Sequence, residues 1–370
     1  MNLLIYGAMF SFALIGFWWN VRRRKQSSLY AVIVVVLFVL AVISRKTGYF
    51  TYSDLGSYIW RYANNDNAYF GKAYGVLTNI IRSLFGPSAN AYLGSIAMIV
   101  ASMSIVSIIV WDQSNKLCYD DHREDKLPVY LNTFLLVFFT YWGVAFSAEV
   151  VRTGIAITFS MVGLAYARRK TLLPCIVFCL LAIAFHWTEA FFVPIIILLY
   201  IGKDNNEKNV NTTKMYLWLF LLVVFDLMDV SSFLARLLNG ILGLILSRLS
   251  QYEHYLTYIK YRQRPSVLSY VSIQYIYYRI LAAYLVYIHN KSYSSKTLLY
   301  SYYIGLTIFT VMSDFGAVTR MQWIFTAPSV FLLYDYAKSD IGLRSNKLIT
   351  IGGLSLLQAV MAINYLGYHF

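Results

Sequence analysis

Apolar runs of about 17–22 residues recur from one end of this chain to the other, each cut off by a polar stretch. That is the length an α-helix needs to cross roughly 30 Å of hydrocarbon at about 1.5 Å per residue. In lipid every backbone N–H and C=O must be satisfied within its own segment, so runs of this kind fold as helices. The chain is 59% hydrophobic and only 13% charged, with a mean hydropathy of +0.57. Soluble domains carry roughly 25% charged residues. The expectation is an all-α, polytopic integral membrane protein with a single transmembrane domain over residues 1–370.

Helices are expected at about 2–20, 29–44, 91–111, 128–146, 150–167, 171–186, 188–202, 215–230, 267–289, 297–313, 321–337 and 348–367, about twelve transmembrane spans. Residues 2–20 have no basic stretch before the apolar core, and Arg22, Arg23, Arg24 and Lys25 follow it. They read as an uncleaved first span and not as a signal peptide. Lys and Arg then mark every second short loop: Lys116, Arg123 and Lys126; Arg168, Arg169 and Lys170; Lys203, Lys208 and Lys214; Lys291 and Lys296; Lys338, Arg344 and Lys347. The positive-inside rule places these loops in the cytoplasm and both termini outside. The net charge of +14 is then mostly topological, and nucleic acid is not expected as a partner. The sequons at Asn211 and Asn290 fall on the cytoplasmic side and read as chance.

The polar mass of the chain lies in two long outer loops, about 45–90 and 231–266. Residues 71–85 have apolar positions at helical spacing and fit a helix lying in the interface, as do residues 233–249. Many of the 33 tyrosines belong to an interfacial aromatic belt. Tyrosine also stacks on sugar rings, so the excess is compatible with a glycan-handling face. Cys118, Cys175 and Cys179 form no disulfide framework. The five histidines have no metal-ligand spacing, and His186 with Glu189 is too little to hold one. No metal or cofactor is expected.

The chemistry-bearing residues gather on the outer side. Arg152 opens the fifth span, with Glu149 three residues before it. Either the two pair as helical neighbours, or Arg152 binds a phosphate or pyrophosphate with its planar fork of donors. His186 closes the sixth span. It is either held by a backbone carbonyl or Glu189, or it serves as a general base near neutral pH. Arg320 opens the eleventh span, with Asp314 as its alternative partner. Arg279 lies well inside an apolar run, where a lone arginine is costly, so it is expected to face a polar cavity or an anion. Arg262 and Arg264 extend the same basic surface. Arginines around a pyrophosphate leaving group and a histidine on an acceptor hydroxyl would suit glycosyl transfer from a lipid-linked pyrophosphate sugar.

The segment from Val150 to Phe192 also resembles the EpsG family of bacterial polysaccharide polymerases, a branch of the Wzy-type O-antigen and capsule polymerases. The shared pattern is R-x-G-I-A at 152–156, a basic pair at 168–169 and A-x-x-F-H at 182–186. Upstream, Asp54 and Tyr58 match the family's outer D-x-x-x-Y stretch. The resemblance implies a GT-C-like glycosyltransferase architecture in the bacterial inner membrane, with its active site facing the periplasm. It implies undecaprenyl-pyrophosphate-linked donor and acceptor glycans, no nucleotide sugar at this step, and a chain-length regulator as a partner besides the bilayer. Arg152, Arg279 and Arg320 would bind pyrophosphate, His186 would be catalytic, and Asp54, Tyr58, Glu189, Arg262 and Arg264 would line the substrate. An O-antigen ligase, a lipid-linked oligosaccharide flippase and a membrane acyltransferase are the competing readings.

Overall fold

A computed structural model describes residues 2–45, 54–66, 71–118, 128–202, 210–237, 273–291, 295–312, 321–339 and 342–366. The described residues are helical, without a strand. The chain divides into two compact units, Met1–Lys203 with Leu333–Phe370, and Asp204–Leu332.

The first unit holds α1 (Asn2–Arg23), α2 (Ser28–Ile43), α3 (Asp54–Ala63), α4 (Lys72–Phe85) and α5 (Ala89–Cys118). It continues with α6 (Leu131–Ala148), α7 (Val151–Arg168), α8 (Leu172–Phe185) and α9 (Trp187–Ile201). The second unit holds α10 (Thr212–Leu227), α11 (Val230–Leu237), α12 (Ile273–Lys291), α13 (Lys296–Met312) and α14 (Met321–Thr326). Helix α15 (Ser329–Lys338) crosses into the first unit, which ends with α16 (Arg344–Tyr365).

Each of the twelve apolar stretches holds a helix. Among the described residues, four helices are able to cross a membrane by length and apolarity alone: Leu3–Arg23, Ala89–Ser114, Leu131–Ala148 and Arg344–Ile363. The pair α10 and α11, bent by 65°, makes a fifth if it is one span. Helices α2, α8 and α9 are apolar but shorter, α8 having 14 residues. The eleventh stretch is broken between α14 and α15 at Pro328, which cannot donate to the preceding turn. The stretch 71–85 is α4, as its periodicity predicts: Tyr74, Gly75, Thr78 and Ile81 are buried, while Val76, Ile80 and Leu84 are exposed. An exposed apolar face on such a helix suits the membrane interface. Of the stretch 233–249, only the part up to Leu237 is among the described residues.

The core of the first unit is α6 and α7. Helix α6 is buried from Asn132 to Ala148. A π turn at Phe139–Gly143 adds a residue to its winding, and Tyr6 of α1 donates to the Thr140 carbonyl there at 2.6 Å. Phe139 packs on Phe38 of α2 with ring centroids 4.3 Å apart. Helix α7 is buried except at Arg152, Phe159 and Tyr166. These fall at seven-residue spacing, one stripe of the helix, and α8 lies along it: Phe159 meets Phe178 and Phe185, and Tyr166 stacks on Phe178. The outward sides of α2 and α8 expose Leu29, Val32, Val36 and Leu40, and Leu173, Ile176 and Leu180. Spaced three and four residues apart, they form apolar stripes fit for lipid.

Between α6 and α7 the helix breaks. Glu149 (φ −134°, ψ −60°) and Val150 (φ −108°, ψ 51°) leave helical geometry. Gly154 lets the chain turn back so closely: a Cβ there would stand 2.4 Å from Phe146 Cβ and 2.6 Å from the Phe146 carbonyl oxygen. This is the glycine of R-x-G-I-A.

Candidate active site

The turn 169–171 joins α7 to α8 as an antiparallel hairpin. Arg152 therefore shares one end of the hairpin with His186, and Arg168, Arg169 and Lys170 sit at the other. The basic end is firmly held. Arg168 stacks 4.0 Å over the Trp111 ring and pairs with Asp335 at 3.2 Å, and Trp111 Nε1 donates to the same carboxylate at 3.0 Å. Lys170, in the left-handed region at φ 61°, donates to the carbonyls of Leu199 and Gly202 at 2.9 and 2.8 Å. It thereby caps the negative end of α9.

At the other end Glu149 does not serve Arg152. It pairs with Arg45, which follows α2, at 3.2 Å. The i, i+3 geometry requires a continuous helix, and the break at Glu149–Val150 removes it. Burial lowers the pKa of Arg45, and Glu149 opposes that shift. Arg152 is the second residue of α7, where the positive end of the helix dipole disfavours a cation. Its charge acts on Tyr74 of α4. Tyr74 is the centre of an aromatic cluster. Its hydroxyl is hydrogen-bonded to that of Tyr92, and its ring lies 5.5 Å from Tyr58. The Tyr62 ring is 5.0 Å from Tyr92. Tyr62 donates to the Gly86 carbonyl at 2.6 Å, and Arg82 donates to the Tyr62 and Ala63 carbonyls. The cluster thus ties α3, α4 and the start of α5 into one cap. Burial pushes the Tyr74 hydroxyl well above its ordinary range, Tyr92 adds to the shift and Arg152 opposes it. Tyr74 stays a neutral donor at physiological pH.

His186 closes α8 in extended geometry, and its Nδ1 is hydrogen-bonded to Thr188 Oγ1. If Nδ1 carries the proton in that bond, Nε2 is the basic nitrogen. Glu189 turns away from the imidazole. It is 1% exposed and accepts from Ser160 of α7 at 2.6 Å, while its Oε1 has no hydrogen-bond partner.

Asp54 opens α3, and Tyr58 stands in the aromatic cap. Arg279 belongs to the second unit, where it pairs with Asp226 of α10 and donates to Thr310 of α13. It also lies 4.4 Å over the Tyr275 ring, and Tyr275 donates to Asp226. Its Nε and Nη1 are buried without a hydrogen-bond partner. The buried arginine faces a carboxylate of its own chain. Arg262, Arg264 and Arg320, with Asp314, lie outside the described residues.

Sequence reasoning missed Arg45, Tyr74, Tyr92 and Asp226 as members of these clusters. Two of them carried a signal. Arg45 directly follows an apolar run, and Asp226 is the deeper of the two acids, with Asp229, inside residues 215–230. Intramembrane charges pair with one another, so Asp226 was the natural partner to seek for Arg279.

No curated protein and no solved structure matches the chain. The EpsG family model does, over residues 28–370. That span takes in the hairpin, the aromatic cap and the three buried arginine pairs, so the chain belongs to the EpsG family.

Proposed function

We propose that this protein joins lipid-linked saccharide repeat units into a polysaccharide at the outer face of the bacterial cytoplasmic membrane, its twelve helical stretches crossing or entering the bilayer. Family membership supports a polysaccharide polymerase-like role. The observation that carries the site is the placement of Arg152 beside the Tyr58–Tyr74–Tyr92 cap, at the same hairpin end as His186.

The chemistry follows from these groups. The acceptor sugar hydroxyl attacks the anomeric carbon of the donor glycan. A new C–O glycosidic bond forms as the bond from that carbon to the undecaprenyl pyrophosphate oxygen breaks. His186 takes the hydroxyl proton, and Arg152 meets the charge growing on the departing pyrophosphate. A guanidinium placed where charge develops lowers the barrier because little reorganisation remains to be done. The tyrosines of the cap offer faces for sugar stacking and hydroxyls for hydrogen bonds. The family resemblance also implies pyrophosphate binding by Arg279 and Arg320, and Arg279 keeps two buried guanidinium nitrogens that Asp226 and Thr310 leave unserved.

Glycan length in cells tests it. Arg152→Ala or His186→Ala should leave the protein in the membrane while the surface glycan stops at a single repeat unit. Long chains from both variants would sink the assignment. Loss of single repeat units as well would point to a flippase or a ligase.

A further inference from the structure

The break between α6 and α7 gathers hydrogen-bond donors from three elements. Arg45 follows α2, and its side chain is 4% exposed. Its Nη2 donates to Glu149 Oε2 at 3.2 Å, but its Nε and Nη1 are buried without a hydrogen-bond partner. Ser147 Oγ, in the last turn of α6, is buried without one as well. Glu149 is followed at once by Val150, the N-cap of α7, which gives that helix no side-chain cap. The first N–H groups of a helix have no partner within it, and the first turn of α7 holds no acidic residue.

Glu149 meets the charge of Arg45 but uses only one of its nitrogens. A buried donor left unpaired keeps the cost of its lost hydration, and such groups are rare in native chains unless a ligand or a function accounts for them. The two partners also differ in freedom. The Glu149 side chain is 25% exposed, so its carboxylate can turn to water, whereas the Arg45 guanidinium stays where it is. A phosphate suits the vacated place better than the carboxylate does. Its oxygens accept from the side of a guanidinium fork and from the N–H groups of a helix N-terminus together. Arg152, the second residue of α7, brings another guanidinium to the same turn.

We propose that Arg45 and the N-terminus of α7 form, with Arg152, the cradle for one phosphate of undecaprenyl pyrophosphate, and that Glu149 is the counter-ion which this phosphate displaces. Arg45 is then a binding residue, and Glu149 keeps its guanidinium in place until the substrate arrives. The proposal deepens the polymerase reading and rests on it.

The full-length protein in a neutral detergent provides the test. Its Tm is followed against undecaprenyl pyrophosphate, with undecaprenol as control, and should rise with the first alone. Arg45→Lys keeps a cation opposite Glu149 but lacks the Nε–H and the planar fork. It should raise the half-saturating concentration roughly tenfold, the loss of one charge-assisted hydrogen bond. Glu149→Gln removes the competing carboxylate, so it should lower that concentration and enlarge the rise in Tm. A pair that only braces the fold predicts neither change. Wild-type affinity in Arg45→Lys, or no gain in a folded Glu149→Gln, therefore overturns the proposal. So does the absence of any rise in the unmutated protein, and so does an equal rise with short-chain phosphatidylglycerol, which would assign the cradle to a bulk phospholipid. The polymerase reading is judged apart, by glycan length in Arg152→Ala and His186→Ala cells. Long chains in both sink it and this proposal together. Single repeat units there, with wild-type affinity in Arg45→Lys, sink this proposal alone.

Discussion

Arg45 and Glu149 stand 104 residues apart in the chain and meet at 3.2 Å, at the point where α6 breaks before α7. The pair fastens the end of α2 to the break from which Arg152 emerges. Its two members differ in exposure, the Arg45 side chain at 4% and that of Glu149 at 25%. Removing Glu149 strands a buried cation, whereas removing Arg45 leaves a carboxylate that reaches water. Glu149→Ala should therefore cost about 3 kcal/mol, and Arg45→Ala clearly less. Thermal denaturation of the two purified variants checks the order, and equal losses would refute the argument.

Gly154 is set by contact with the backbone of Phe146. Gly154→Ala should cost about 1–3 kcal/mol through overpacking and lower the amount of protein in the membrane. Phe146→Ala should not rescue it, because the clash is with Cα, Cβ and the carbonyl oxygen, which alanine keeps. Recovery in the double variant, read by quantitative blotting, would count against this account.

Asp226 and Arg279 can be separated from function by replacing both. Asp226→Ala alone leaves the guanidinium buried without its carboxylate, a loss of about 3–5 kcal/mol. The double variant Asp226→Leu with Arg279→Met should accumulate nearly as wild type, because an apolar pair of similar volume is often neutral. If Arg279 holds substrate, that folded double variant makes no long glycan. Normal chain length would show that the pair is purely structural.

Tyr74 sets an alkaline limit. Its hydroxyl is raised above the ordinary value of 10.0, so the folded chain holds this proton more tightly than the unfolded chain does. The resulting stability is intact below pH about 10 and is lost as the pH climbs above it. Tm should stay flat on this account over roughly pH 6–9 and then fall, less steeply in Tyr74→Phe. At neutral pH Tyr74→Phe should cost about 1–3 kcal/mol, because the Tyr92 hydroxyl, at 0% exposure, loses its partner. An unchanged alkaline slope would remove Tyr74 from the explanation.

The helical character, the positions of the apolar helices and the two-sided helix α4 were all legible from apolar spacing, which is local. The end-to-end relation of Arg152 and His186 was legible too, because two apolar runs joined by three residues leave only an antiparallel hairpin. Pairings across the chain were not. Glu149 looked like a helical neighbour of Arg152, and nothing in the window 149–152 announces a break, since its cause, the fit of Gly154 on Phe146, exists only once the helices pack. Glu189 reads as a partner for His186 by proximity, yet the 3₁₀ turn at Trp187–Phe192 points its carboxylate to Ser160. Asp226 meets Arg279 across 53 residues, a contact that intramembrane charge pairing suggests but spacing does not locate.

Helix α8 has 14 residues, about 21 Å of rise, and α1 has 22, about 33 Å. Hydrocarbon about 30 Å thick matches the second and overshoots the first by about 9 Å. If both cross the bilayer, as the proposed function has it, the bilayer would thin beside α8, at a fraction of a kcal/mol per ångström. The thinned zone would then reach His186 at the end of that helix. In that reading a lipid-linked substrate approaching from that side would bring its headgroup to the imidazole level while its long tail stayed in the acyl layer.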